Sequence, residues 1–104
     1  MFEYRKLNDR IKYQQQWIAQ GFTVAFTVDW YDFRKSMTIA EYHEKHLTII
    51  RTHDTLKEKM RDKDWCVKKR KIGKNKRRYW FLFKNDTHLL TAIIHTNITL
   101  LNDN

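Results

Sequence analysis

From Phe22 to Tyr31 apolar and polar positions alternate, with Phe22, Val24, Phe26, Val28 and Trp30 in one set and Thr23, Ala25, Thr27, Asp29 and Tyr31 in the other. A period of two sustained this long predicts a strand with one apolar face. Upstream, between about Phe2 and Gln20, Leu7, Ile11 and Ile18 recur at helical spacing with Tyr4 and Trp17 beside them, which predicts a first helix. Gly21 stands where a left-handed residue would stop that helix, and Phe22 is placed to pack back on Ile18.

Thr38 followed by Glu41 has the spacing of a capping box and predicts a second helix running to about Asp62. On it Ile39, Tyr42, His46, Ile49, Ile50, His53, Leu56 and Met60 share one side, while Glu41, Glu44, Lys45, Thr48, Arg51, Thr55, Glu58 and Lys59 take the other. Such a helix packs on a sheet or on a second subunit. Trp65–Ile72 and Arg78–Lys84 read as a hairpin around Gly73-Lys74-Asn75-Lys76, and the run Tyr79-Trp80-Phe81-Leu82-Phe83 is apolar on both faces, as an inner strand covered on both sides would be. Leu89, Leu90, Ile93, Ile94, Leu100 and Leu101 have helical spacing after a possible Asp86 or Thr87 cap. The β-branched residues at 91, 93, 94, 96, 98 and 99 tilt the expectation to a strand at 88–95.

The expected class is therefore α+β, an antiparallel sheet of three to four strands packed with two or three helices. The chain has 104 residues, no proline, and glycine only at 21 and 73, so nothing reads as a linker and one domain over 1–104 is expected. No run approaches the roughly 18 apolar residues of a membrane span, and the first residues lack the apolar core of a signal peptide. Cys66 is alone, which leaves no internal disulfide and fits a reducing interior, cytoplasmic or, in a eukaryote, nuclear.

Charge changes the picture most. The formal net charge is +9, from 21 basic and 12 acidic side chains. Eight of those basic residues, Lys68, Lys69, Arg70, Lys71, Lys74, Lys76, Arg77 and Arg78, fall between positions 68 and 78, and no acid occurs from Trp65 through Asn85. Alternation charges both faces of the hairpin tip, so a protruding basic β-hairpin is expected, anchored at its base and standing clear of the body. Such a ribbon would meet a polyanion, most simply nucleic acid. The eight cations would neutralise phosphates. Arg70, Arg77 and Arg78 are also suited to base edges, and Tyr79 or Trp80 would stack an unpaired base. The flanking aromatics tilt the expectation from duplex DNA toward RNA.

Competing readings are a solvated edge that keeps the sheet from pairing with other chains, an inhibitor of phage type that binds an acidic protein surface, an anionic membrane surface, and a nuclear import signal. The many apolar residues also suit a homodimer. Enzymatic readings rest on fewer residues. His43 and His46 lie one helical turn apart, one residue short of the zinc-protease spacing. Asp29, Asp32, Glu41 and Glu44 would have to converge for a metal-dependent nuclease. A metal-free ribonuclease would draw on His43, His88 or His95 with Arg77 or Arg78. The closing order of basic strand, apolar strand, turn and a strand with His95 is similar to that of small ribosome-dependent mRNA-cleaving toxins, but those begin with a strand and share no distinctive motif with this chain. The expectation is a non-catalytic binding protein or regulator with no metal and no cofactor.

Overall fold

In the computed structural model, which describes residues 2–31 and 38–101, the alternating segment becomes the central strand of a sheet. The elements run β1 (Phe2–Lys6), α1 (Lys12–Ala19), β2 (Val24–Tyr31), α2 (Ile39–Lys59), a single 3-10 turn (Asp62–Asp64), β3 (Trp65–Gly73), β4 (Lys76–Phe83), α3 (Asp86–Thr96) and β5 (Leu100–Leu101). The strand order is β3-β4-β2-β1-β5, antiparallel throughout except for the two-residue β5, which runs parallel to β1. The α+β class holds, with five strands in place of three or four.

Two expected elements have the wrong type. The first helix does not begin near Phe2: residues 2–6 form β1, and α1 covers only 12–19. Phe2 and Tyr4 alternate with Glu3 and Arg5, and pairing of β1 with β2 (Tyr4↔Phe26, Arg5↔Ala25) outweighs the helical spacing of the surrounding residues. The expected strand at 88–95 is helix α3. Asn85 caps it by accepting a hydrogen bond from the His88 N–H, and Asn97 ends it in the left-handed conformation at φ 55°. With both ends satisfied, burial of Leu89 and Ala92 on one helical face overrides β-branched propensity.

The sheet is covered on both sides. On one, α2 and α3 bury Ile49, Leu56, Leu89 and Ala92 against Phe2, Val24, Phe26, Val28, Trp30, Trp65, Phe81 and Phe83. On the other, α1 packs Trp17 against Leu7, Phe22, Ala25, Trp80 and Leu82. The double-sided apolar run 79–83 is explained: β4 is an inner strand with helices above and below. The Thr38–Glu41 capping box opens α2 with both reciprocal hydrogen bonds in place.

The end of α1 forms as its sequence predicts. Phe22 N–H donates to the Trp17 carbonyl and Gly21 N–H to that of Ile18, the paired bonds of a Schellman stop, with Gly21 at φ +98°. A Cβ at Gly21 would sit 3.0 Å from Lys84 Nζ and in a backbone region that side chains rarely adopt. Gly21→Ala is expected to cost about 1–2 kcal/mol in a denaturant titration. An unchanged midpoint would show that the turn relaxes freely.

Candidate nucleic-acid interface

The ribbon does not stand clear of the body. β4 pairs with β2 along its whole length, from Val24↔Phe83 to Tyr31↔Lys76, and β3 pairs with β4 from Trp65↔Phe83 to Gly73↔Lys76. The expected protrusion fails for a physical reason: ladder hydrogen bonds come from backbone, so charged side chains on both faces do not prevent pairing once β2 offers a polar end. Asp29 and Tyr31 supply that end. The basic stretch is thus one outer strand, β3, and one inner strand, β4, of a broad sheet.

Alternation divides the cations between the faces. Lys68, Arg70, Lys76 and Arg78 lie on the α1 side with Trp80, while Lys69, Lys71 and Arg77 lie on the α2 side with Tyr79. Lys74 is exposed in the turn. On the α1 side Arg70 and Arg78 are direct cross-strand neighbours, a like-charge pairing that opposes the fold unless each guanidinium finds another partner. Each does. Arg78 donates from Nε to Asp29 Oδ1 at 2.7 Å and from Nη2 to Oδ2 at 3.2 Å, and Lys76 Nζ lies 3.4 Å from Oδ2. The Arg70 guanidinium lies over the Tyr13 ring, 3.6 Å from its centre. At the end of the same face, exposed Tyr31 has Lys76 and Lys45 ammonium groups 5.3 and 5.4 Å from its ring centre.

Of the two expected stacking residues, Trp80 is buried and Tyr79 is only partly exposed. Trp80 is 2% exposed, packed against Trp17 and Tyr13 at 5.2 and 6.0 Å between ring centres, and its indole N–H has no partner among the described residues. Tyr79 is half-buried against the α2-side core. The pattern that made 79–83 read as an inner strand also implies that the Trp80 ring is spent on packing. The residue the sequence did not offer is Tyr13, and Asp29 was offered in a different role, as a metal-binding acid rather than as the partner of Arg78. Tyr13 carries no local signal. Asp29 was legible as the acid on the polar face of β2, and an assumed antiparallel β2–β4 pairing would have set it beside Arg78.

Among the described residues Lys68, Lys69, Lys71 and Lys74 make no ion pair; on the α1 side Asp29 pairs directly with Arg78 and Lys76, and the Glu3 carboxylate adds its charge to the field on Arg78. Burial by itself would raise the Asp29 carboxyl, but the hydrogen bond and charge of Arg78, joined by Lys76, hold it below the ordinary carboxylate value. A folded value below the unfolded one stabilises the protein above the ordinary carboxylate range, and that contribution is lost as pH falls through the folded value. Asp29→Asn is expected to cost about 1 kcal/mol at pH 7, modest because the pair is about a quarter exposed. The loss relative to the parent should shrink toward pH 3 in thermal unfolding, while affinity for polyanions should rise as Arg78 and Lys76 are released. Equal losses at both pH values would contradict the clamp.

The residues proposed for chemistry lie on several elements, with His43, His46 and His53 on α2. His46 lies against Trp30 and His53 against Trp65, at 5.0 and 5.7 Å between ring centres, and His43 faces Tyr42 at 6.0 Å. His88 and His95 are on α3, so the sheet strand that was to carry His95 beside the ribbon is a helix. Asp29 is committed to Arg78, and Asp32 lies outside the described residues. Among the described residues no group of three or more His, Cys, Asp or Glu side chains comes together to hold a metal ion. Cys66 is half-buried on β3 beside the α1-side core. Among those same residues no helix is long and apolar enough to cross a membrane. Comparison with family models, with curated proteins and with solved structures found no match.

Proposed function

We propose that the protein binds nucleic acid through the cationic strands β3 and β4 and acts as a non-catalytic regulator or accessory factor. One observation carries this reading. Lys68, Lys69, Arg70 and Lys71 follow one another on an outer strand, with Lys74 beyond them in the turn, and none has an acidic partner among the described residues. An outer strand can be kept from pairing with other chains by one or two lysines. Four consecutive cations exceed that need and produce a field that a polyphosphate relieves by releasing its counterions. RNA is slightly favoured over DNA, because Tyr13 and Tyr31 place aromatic rings beside these cations.

The reading is tested by purifying the protein without nuclease treatment and measuring its ultraviolet absorbance ratio at 260 and 280 nm. Co-purified nucleic acid that ribonuclease removes is the expected result. A protein that emerges free of nucleic acid, and that shifts neither labelled RNA nor labelled DNA at low salt, overturns it.

A further inference from the structure

We infer that this interface takes a single strand, RNA or DNA, laid across the α1 side of the sheet with one base stacked on the Arg70–Tyr13 pair. The inference rests on the nucleic-acid reading above and narrows it.

The fold disfavours a duplex groove. A two-stranded ribbon fits the major groove of B-DNA, about 12 Å wide. Here the basic ribbon is continuous with β2, since Arg70, Arg78 and Asp29 occupy successive strands at one level of the sheet. Three strands spaced by about 4.8 Å, with side chains above and below, fill that width before any helix is counted. The helices then thicken both faces, α1 on one and α2 with α3 on the other.

The α1 side offers what an unpaired strand needs. Arg70 is exposed, and its guanidinium carbon lies over the Tyr13 ring, 3.6 Å from the ring centre. An exposed guanidinium placed over an aromatic ring is a surface on which a nucleobase can stack, and any base can use it because each has a π face. Tyr31, 38% exposed, gives a second ring on the same face. Between and beside these rings stand Lys68, Lys76 and Arg78. Side chains two residues apart on one strand repeat at about 7 Å, a step that the phosphates of an extended strand can follow. Asp29 holds Arg78 by Nε and Nη2 and so fixes where its remaining N–H groups point.

The test measures fluorescence anisotropy at about 0.15 M salt with four labelled probes of one mixed sequence, single-stranded RNA, single-stranded DNA and their duplexes. Single strands are expected to bind about tenfold or more tighter than duplexes, and the RNA and DNA arms show which sugar is preferred. Arg70→Lys keeps the charge and removes the plane. It should weaken single-strand binding about fivefold or more, the lower end of one base stack, with the salt dependence unchanged. The pair Lys68→Gln and Arg70→Gln should weaken single-strand binding more than the opposite-face pair Lys69→Gln and Lys71→Gln. If duplexes bind as tightly as single strands, or if Arg70→Lys matches the parent, this inference is overturned while the nucleic-acid reading stands. Failure of all four probes overturns both.

Discussion

Replacing Lys68, Lys69, Arg70 and Lys71 together by glutamine lowers nucleic-acid affinity by about a hundredfold to a thousandfold near 0.15 M salt, while the protein stays folded. The size follows from counterion release, in which each neutralised phosphate of a single strand contributes roughly 0.7 of a logarithmic unit of salt dependence. The fold survives because Lys69, Arg70 and Lys71 are exposed, Lys68 is half-buried without an ion pair, and the backbone ladder of β3 does not depend on their charge. Arg78 and Lys76 are left in place so that Asp29 keeps its partners. Removing four cations from an exposed outer strand should also relieve self-repulsion, so an equal or slightly higher unfolding midpoint is expected in denaturant. Retained affinity in the folded variant would show that the anion is met elsewhere.

The largest effect on stability is expected at Trp80. Its ring lies between the sheet and α1, against Trp17 and Tyr13, in the cluster that holds α1 in place. A helix of eight residues is not stable by itself in water, so α1 depends on that contact. Trp80→Ala should cost about 3–5 kcal/mol, much of the total stability of a domain this size, and lower the thermal midpoint by about 12 °C or more. Trp80→Phe should cost far less, about 1 kcal/mol, because the indole N–H it removes has no partner among the described residues. The comparison also bears on function. Loosening α1 frees Tyr13 from beneath Arg70, so Trp80→Ala should weaken single-strand binding even below its unfolding temperature, whereas Trp80→Phe should not.

What the chain disclosed in one dimension was what local physics controls. The period of two, realised as a strand over Val24–Tyr31, the Thr38–Glu41 box and the Gly21 stop all formed, because each is decided by residues within a few positions of one another. Two ambiguities resolved against local propensity. β1 was hidden because Tyr4 also stands at helical spacing from Leu7, and only pairing with β2, some twenty residues away, decides for the strand. Helix α3 was hidden by its β-branched residues until the Asn85 cap and the left-handed Asn97 settled its ends.

The site divided in the same way. Which residues carry positive charge, and that they cluster, was plain in the sequence. Which of them lack an acidic partner was not, since the bond between Arg78 and Asp29 spans 49 positions and exists only because β4 inserts between β3 and β2. The loss of Trp80 as a stacking surface and the gain of Tyr13 follow from one event, the docking of α1 on the ribbon side of the sheet.

The central claim is that β3 and β4 meet phosphates. Its most direct test is the slope of log affinity against log salt for a labelled single-stranded RNA between about 50 and 300 mM, in the parent and in the four-glutamine variant. At roughly −0.7 per phosphate on a single strand, engagement of three to five cations predicts a parent slope of about −2 to −4, reduced in magnitude by about 1.4 or more when the four are removed. A parent slope near zero, or the same slope in both proteins, would contradict the account.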